Sequence, residues 1–225
     1  MNLFINFYDA KDRQDELLFC LNKNVQNRFI KRIIVFDQSI CLLNDTKIKP
    51  IKVTERPSYQ DFFELTNSYP NDVNIIANTD IYFDDSLKNA EMLNDKTCYA
   101  ITRSELRDNK VLPFDVANPG VKPSYSQDVW MFRGAVKLNG SATVIARSNL
   151  TGQFEEIKFT IGIPGCDNVL AARLKGSYQV KNPANDIKCI HVHKNQHRPH
   201  YKYRITGARS FWGQVNQGHL PITNL

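Results

Sequence analysis

Short apolar runs alternate with amphipathic segments through the first hundred residues, and this alternation limits the possible folds more than any other feature. Residues 2–8, 33–36 and 73–77 are expected to be strands, and the last two are apolar runs typical of strands buried on both faces. Helical patterns follow the first strand and precede the third, where Ser58-x-x-Asp61 resembles a capping box. The alternation predicts an α/β fold with a mostly parallel sheet flanked by helices.

The pattern changes near residue 105, where regular alternation gives way to a mixed second half. The stretch 108–124 is rich in Pro and Gly and is expected to be a loop. The remaining predicted elements are strands at 48–54, 97–102, 129–136, 156–161 and 187–192, helices at 86–93 and 167–176, and an element at 211–215.

Composition is that of an ordinary globular chain, with 42% hydrophobic and 23% charged residues. No apolar run approaches the roughly 20 residues that span a bilayer, and the start lacks the features of a signal peptide. We therefore expect a cytoplasmic protein without a membrane partner. The cysteine count is odd and no CxxC pair occurs, which favours reduced thiols over disulfides or a zinc site; the cysteines are Cys20, Cys41, Cys98, Cys166 and Cys189.

Positive charge is concentrated late in the chain. From residue 171 to the end there are nine Lys and Arg residues and one acid, Asp186, while the whole chain carries +6. All five histidines also lie late. A basic segment on a nearly neutral body indicates a phosphate-bearing partner or, alternatively, only a solvated basic surface.

Polar side chains follow several of the predicted strands at the point where each strand ends. In parallel sheets, ligands bind beyond the carboxyl ends of the strands, so these side chains are expected to converge. They are Tyr8 and Asp37 after the first two strands, Asn78 and Asp80 after the strand at 73–77, and His191 and His193 at the end of the last strand.

Asn78 and Asp80 are two residues apart, which places them on one side of an extended backbone. Such an oxygen pair suits a divalent cation, and a mixed set of oxygen and imidazole ligands favours Mn²⁺ over Mg²⁺. The alternative is that Asn78 and Asp80 only begin a turn, followed by a helix capped by Asp84 or Asp85.

His191 and His193 are candidate metal ligands, because a basic run containing Lys194 and Arg198 follows them and suits a pyrophosphate. The alternative is a structural role for both histidines. Asp167 precedes a predicted helix and is either its N-cap or a general base for an acceptor hydroxyl, and these roles are compatible. Asp128 is a second candidate acid at the start of a strand.

Four ordered motifs resemble those of GT-A-type glycosyltransferases, in particular of a group of small soluble members. They are ANTDIYFDDSL at 77–87, SQDVWMFRG at 126–134, IPGCDNVLAARL at 163–174 and IKCIHVHK at 187–194. The resemblance covers about residues 73–200, whereas the first 70 residues match only in their βαβ pattern. Asn78 departs from the first position of the family's D-x-D motif.

The resemblance implies a GT-A-like single catalytic domain over 1–225, with a nucleotide-binding half at 1–105, an acceptor and catalytic half at 106–200 and a basic tail at 201–225. It implies Asp80 as the main metal ligand, with His193 or His191 completing the site, and a weaker contact from Asn78 to the metal or the ribose.

The same resemblance implies Asp167 as base, Asp128 as a contact to sugar or acceptor, and Asp37 and Tyr8 at the nucleobase. Lys194 and Arg198 belong to the predicted donor site on charge.

The resulting hypothesis is a metal-dependent hexosyl- or pentosyltransferase that uses a nucleotide-sugar donor, with a UDP-sugar favoured. The acceptor is a glycan, a small molecule, a protein, or a modified base in DNA, the last on the charge of the late segment. The alternatives are a non-catalytic binding module on a degenerate transferase fold, which Asn78 supports, and a metal-dependent nuclease. Oligomeric state is not predicted.

Overall fold

The computed structural model describes residues 1–38, 44–138, 140–193, 202–205 and 220–225, with Tyr125 described by its backbone only. Cys41, Lys194, Arg198, most of the tail at 201–225 and the element predicted at 211–215 lie outside the described residues.

Strands make up most of the regular structure of the described chain. In chain order they are β1 (Asn2–Phe7), β2 (Arg32–Asp37), β3 (Ile48–Lys52), β4 (Val73–Ala77), β5 (Ile81–Phe83), β6 (Thr97–Ile101), β7 (Ser104–Arg107), β8 (Lys110–Leu112), β9 (Val129–Arg133), β10 (Thr143–Ser148), β11 (Phe154–Lys158), β12 (Gln179–Lys181), β13 (Cys189–Val192) and β14 (Tyr203–Arg204).

Helices connect many of these strands. The α-helices are α1 (Gln14–Gln26), α2 (Tyr59–Thr66), α3 (Phe114–Ala117) and α4 (Cys166–Lys175), and 3₁₀ helices cover Lys11–Arg13, Asp85–Met92 and Pro123–Tyr125.

A seven-stranded central sheet organises the described residues, in the order β12-β6-β9-β4-β1-β2-β3. Neighbouring strands are parallel except at β9, which runs antiparallel to both β4 and β6. This confirms the predicted α/β class with a mostly parallel sheet and a mixed second half. Because β9 is reversed, its amino end lies at the sheet edge where the parallel strands have their carboxyl ends.

Helices cover both faces of this sheet, as the continuous apolar strands require. Leu3 and Ile5 of β1 face the side covered by α1, where Leu17 is fully buried. Phe4 points to the opposite side, where it joins a core that contains Phe62 of α2 and residues of α4. Because successive side chains of β1 point to opposite faces, this one strand contributes to the core on each side of the sheet.

Two smaller sheets extend the second half of the described chain. One has the order β11-β10-β14, and the other has the order β5-β13-β7-β8. In the latter, β13 is antiparallel to β5 and parallel to β7. This sheet brings the turn after β4, the segment after β6 and the late strand β13 together at the carboxyl edge of the central sheet.

One local prediction for the second half was wrong, and one strand there was missed. The stretch 108–124 is not a plain loop, since it contains β8, α3 and a 3₁₀ helix. In the first half, the predicted helix at 86–93 is present as the 3₁₀ helix Asp85–Met92, and Asp84 caps it by accepting a hydrogen bond from the Ser86 backbone at 2.9 Å. Strand β10 was missed, because its pairing with β11 and β14 is a tertiary property.

Cys20, Cys98, Cys166 and Cys189 are free and buried, in agreement with reduced thiols. Among the described residues, every helix is too short or too polar to cross a membrane.

The capping box of α2 is present as predicted. The Asp61 backbone donates to Ser58 Oγ at 3.1 Å, and the Ser58 backbone donates to Asp61 Oδ2 at 2.7 Å. We expect Ser58→Ala to lower the free energy of unfolding by about 1 kcal/mol, because it exposes an unpaired N–H at the helix start.

Urea unfolding monitored by circular dichroism measures this effect. The exposed Ser68 provides a matched control, Ser68→Ala, which should change stability little. Equal losses for the two variants would contradict a specific capping role.

Candidate functional site

Asp80 lies in a tight turn directly after β4. The strand ends at Ala77, and the Ile81 backbone donates to the Asn78 carbonyl at 3.2 Å. The Thr79 hydroxyl donates to the backbone carbonyl of Asn6, which fixes the turn to the end of β1. The expectation that Asn78 and Asp80 share one side of an extended strand was therefore wrong, since the backbone is already turning there.

His191 lies beside Asp80 because β13 pairs with β5. His191 is opposite Ile81 in this pairing, and the Val192 backbone donates to the Asp80 carbonyl at 3.0 Å. His191 Nε2 is consequently 3.3 Å from Asp80 Oδ2. The structure thus brings together a strand-end carboxylate and a late imidazole that are 111 residues apart in sequence.

Arg13 contacts the same carboxylate oxygen as His191. Its Nη2 donates to Asp80 Oδ2 at 2.9 Å, and its Nε donates to Glu16 Oε2 at 2.7 Å. The buried Asn24 holds this end of the molecule in place, because its amide donates to the Ile81 carbonyl and accepts from the Phe83 backbone. Helix α1 is thereby attached to β5.

The ionisation of Asp80 follows from these contacts. Burial by itself would raise the pKa of Asp80, but His191 and then Arg13 lower that pKa below its usual range. Asp80 is therefore a carboxylate at all ordinary pH values. Burial opposes the charged form of His191, yet Asp80 and Glu105 raise its pKa to about 9.

A second carboxylate, Glu105 of β7, contacts the far side of the His191 ring. His191 Nδ1 is 2.7 Å from Glu105 Oε2, and Arg103 Nε donates to Glu105 Oε1 at 2.7 Å. Burial would raise the pKa of Glu105, but His191 and Arg103 lower it to about 2. An ionised carboxylate only accepts hydrogen bonds, so Nδ1 of His191 carries the hydrogen in this contact.

Arg103 extends the cluster to Asp128. Its Nη1 donates to Asp128 Oδ2 at 2.8 Å, and Ser126 Oγ donates to the same oxygen at 2.8 Å. Asn78 Nδ2 donates to Asp128 Oδ1 at 2.7 Å. Asp128 reaches this position because β9 is reversed and Val129 pairs with Ala77. With three donors on its oxygens, Asp128 is an anchor for Asn78 and Arg103.

Asp167 lies at the first turn of α4, close to the Asp128 segment. The Gln127 backbone is 3.4 Å from Asp167 Oδ2. Burial, followed by the negative charge of Asp128, raises the pKa of Asp167 to about 6. Asp167 therefore changes protonation near neutral pH, which suits a general base.

Gly165 sets the start of α4. Its φ is 90°, in the left-handed region, and an added Cβ would clash with the Ile205 carbonyl oxygen. The backbone of Ile205 in turn donates to the Pro164 carbonyl at 2.9 Å. Only glycine permits this close approach, which fixes the loop that precedes Asp167.

His193 stacks on His191 with ring centroids 5.6 Å apart and planes inclined by 15°. Within the described part of the chain, neither of its ring nitrogens has a hydrogen-bond partner, although Nδ1 is 3.9 Å from Glu16 Oε2. Burial and the nearby Arg13 lower the pKa of His193. Its neutral ring can accordingly offer one nitrogen lone pair to a ligand.

The donor set at Asp80 fits a divalent cation. Asp80 Oδ2 and His191 Nε2 converge, and the Nδ1–H of His191 is given to a carboxylate, as is usual for metal-binding histidines. Over the described ranges, no group of three or more His, Cys, Asp or Glu side chains has metal-binding geometry. The arrangement suits ions that take one or two protein ligands and complete their shell with water and phosphates.

The other residues predicted to bind the nucleotide-sugar donor are not part of the charged cluster. Asp37 is buried, pairs with Lys52 and lies opposite Phe7 at the end of β2, so it shares the carboxyl edge. The Tyr8 ring lies under the Arg56 guanidinium, 5.0 Å from the ring centroid. Their role at a nucleobase stays a prediction, as do the roles of Lys194 and Arg198.

Four charged residues of this cluster were missed by sequence reasoning, namely Arg13, Glu16, Arg103 and Glu105. The i,i+3 spacing of Arg13 and Glu16 at a helix start is a signal that could have indicated their pairing. Arg103 and Glu105 lie in a short polar segment after β6, and no local pattern distinguishes them.

Two surface cavities lie away from this cluster. One, of about 490 Å³, is lined by residues such as Lys23, Tyr82 and Asp85, and the other, of about 270 Å³, by residues such as Gln60 and Leu138. The charged cluster is thus identified by its contacts and not by a cavity.

Comparisons with known proteins leave the family open. No family model and no curated protein matches the chain. Among solved structures, it is similar to a mannosyltransferase, PcManGT, from Pyrobaculum calidifontis in complex with GDP-Man and Mn²⁺, at 13% identity and a TM-score of 0.46 over 85% of this chain and 56% of that one.

Two further solved structures are similar over 59% of this chain. They are residues 1–349 of S. aureus TarS with UDP-GlcNAc, at 14% identity, a TM-score of 0.38 and 44% of that chain, and the galactosyltransferase LgtC with donor and acceptor sugar analogues, at 13% identity, a TM-score of 0.34 and 58% of that chain. Likenesses at these identities and TM-scores establish neither family nor function.

The raised pKa of Asp167 has a consequence for stability. A carboxyl whose pKa rises from 3.8 to about 6 on folding favours the folded state below pH 3.8, and this contribution is lost as pH rises through 6. We expect Asp167→Asn to stabilise the protein at pH 8, because it removes this unfavourable charge. The rise in pKa corresponds to about 3 kcal/mol. This is an upper limit, because the side chain is partly exposed. The gain should shrink towards pH 4.

Urea unfolding at pH 4, 6 and 8 measures this trend, with the exposed Asp95→Asn as control. A gain that is independent of pH would show that the carboxyl of Asp167 does not titrate differently in the folded and unfolded states.

Proposed function

We propose that this protein is a glycosyltransferase that moves a sugar from a nucleotide-sugar donor to an acceptor hydroxyl with the help of a divalent cation. The observation that supports this most is the carboxylate of Asp80, 3.3 Å from His191 Nε2 at the carboxyl edge of the sheet. The four ordered motifs that resemble GT-A-type enzymes contribute the residues on both sides of this contact.

Asp80 and His191 form the donor end of the proposed site. Here they would hold the cation, with Mn²⁺ preferred. His193 is the alternative imidazole ligand, because its ring nitrogens have no partner among the residues described. When bound, the cation supplies electrostatic stabilisation of the charge that develops on a leaving diphosphate. Arg13 lies on the same carboxylate and adds a second positive group for that charge.

Asp167 forms the acceptor end. Its pKa near 6 leaves it ionised at neutral pH yet basic enough to take a proton from a hydroxyl. Asp128 keeps Asn78 and Arg103 in place and places negative charge near Asp167. In this proposal Asp167 orients and deprotonates the acceptor, while Asp128 positions its neighbours.

The donor and acceptor are proposed by class only. A UDP-sugar is preferred as donor, with Asp37 and Tyr8 at the base and Lys194 and Arg198 near the pyrophosphate. A glycan hydroxyl and a modified base in duplex DNA are the two acceptor classes. The DNA class rests on the nine basic residues after position 170. If DNA is the acceptor, the affinity of the protein for duplex DNA should fall as the salt concentration rises.

Two other functions are distinguished by simple assays. A non-catalytic binding module would bind nucleotide-sugars without turning them over. A nuclease would cleave plain DNA with Mg²⁺ and would not respond to nucleotide-sugars. Release of nucleoside diphosphate from nucleotide-sugars with Mn²⁺ supports the transferase and excludes both.

Asp80→Ala should lower Mn²⁺-dependent turnover of the nucleotide-sugar by about a hundredfold or more, because it removes the carboxylate of the proposed cation site. Release of the diphosphate measures turnover, and calorimetry measures donor binding with Mn²⁺. Asp85→Ala is the matched control, since its side chain is 75% exposed and pairs only loosely with Arg28 at 3.4 Å. Unchanged donor affinity and turnover in Asp80→Ala would refute the proposed site.

Asp167→Asn should lower turnover by about a hundredfold or more and leave donor affinity nearly unchanged, as expected for a base. In the unmodified protein, turnover should fall as pH drops below about 6, where Asp167 becomes protonated. The pH dependence of turnover at saturating donor tests this. Loss of donor affinity in the variant would instead assign Asp167 to binding or helix capping.

A further inference from the structure

Glu105 is the least expected member of the charged cluster. It lies on β7, outside the four motifs, and it is 5% exposed although it carries a full negative charge. Burial of a carboxylate is costly unless it is paired, and its two oxygens have separate partners. Oε2 contacts His191 Nδ1 at 2.7 Å, and Oε1 accepts from Arg103 at 2.7 Å.

The pairing of strands makes this contact specific. In the parallel pair β13–β7, His191 lies directly opposite Glu105. In the antiparallel pair β13–β5, the same histidine lies opposite Ile81, the neighbour of Asp80. The His191 ring therefore lies between Glu105 of β7 and Asp80, which directly precedes β5.

The contact with Glu105 decides which nitrogen of His191 faces Asp80. Glu105 is paired with a guanidinium and can only accept, so Nδ1 donates to it. Nε2, 3.3 Å from Asp80 Oδ2, is then the nitrogen at which a cation shared with Asp80 would replace the proton. The negative charge of Glu105 beside Nδ1–H also increases the basicity of Nε2, which strengthens its bond to a metal.

We propose that Glu105 is a positioning residue of the cation site, which orients His191 and makes its Nε2 a better ligand, and that Arg103 holds Glu105 in place. This rests on the proposed function, because it assigns Glu105 to the same cation. Arg103 also donates to Asp128. The cation end and the acceptor end of the site are thus joined through one guanidinium.

Glu105→Gln tests the proposal, because it keeps the side-chain shape and removes the charge. We expect the affinity for Mn²⁺ to fall by about tenfold. Electron paramagnetic resonance of free Mn²⁺ in a titration of the full chain measures affinity without any substrate. Turnover of the nucleotide-sugar should fall at low Mn²⁺ and recover at saturating Mn²⁺, which a general loss of structure would not do.

A double-mutant cycle shows whether Glu105 acts through His191. In a His191→Ala background, Glu105→Gln should have no additional effect on the affinity for Mn²⁺, measured into the millimolar range. Glu64→Gln, on the exposed side of α2, is the matched control and should bind Mn²⁺ like the unmodified protein. Thermal unfolding by circular dichroism identifies any variant that fails to fold. Arg103→Lys, which removes the planar fork that donates to Glu105 and Asp128, then takes the place of Glu105→Gln.

The outcomes separate this inference from the proposed function. Unmodified protein that binds Mn²⁺ and turns over donor, with Glu105→Gln (or, where that variant does not fold, Arg103→Lys) unchanged in affinity, overturns the role of Glu105 alone. An equal loss of affinity in the unmodified and the His191→Ala backgrounds does the same. Unmodified protein that binds no Mn²⁺ overturns the cation site, and the role of Glu105 with it.

Discussion

Alternation of charge holds the candidate site together. Acids and bases follow one another through contacts of 2.7 to 3.3 Å, in the order Glu16, Arg13, Asp80, His191, Glu105, Arg103 and Asp128. Each of these groups is largely removed from water, and an unpaired buried charge costs several kcal/mol. Because every member has an opposite charge on each side or ends the series, loss of one member would leave its neighbours uncompensated.

The edge of the sheet explains why such a series forms here. Parallel strands deliver the turn after β4 to this edge, and the reversed β9 delivers Asp128 to the same place. The small four-stranded sheet adds His191 from β13 and Glu105 from the neighbouring strand β7. The amino end of α1 adds Arg13. The site is therefore assembled from long-range strand pairing, while local segments contribute only one or two groups each.

The sequence allowed the fold class, the capping box of α2 and the meeting of Asp80 with His191 to be predicted. Strand periodicity is local, and the rule that polar groups gather at carboxyl ends needs no knowledge of strand order. The prediction that Asn78 and Asp80 lie on one side of a strand was wrong, because the backbone turns at these residues. Arg103 and Glu105 were not predictable, because their importance depends on β7 pairing with a strand more than 80 residues later.

A substitution at Gly165 would alter this site although Gly165 is not part of the charged cluster. Its left-handed backbone and the Ile205 carbonyl, which lies against the place where a Cβ would stand, leave no room for a side chain. Even alanine would have to displace a main-chain carbonyl, which cannot rotate away as a flexible side chain would. The shift would be passed directly to the neighbouring turn of α4. A substitution that adds a single methyl group, with no charge and no contact to any ligand, would thus displace the carboxyl of Asp167, the proposed base.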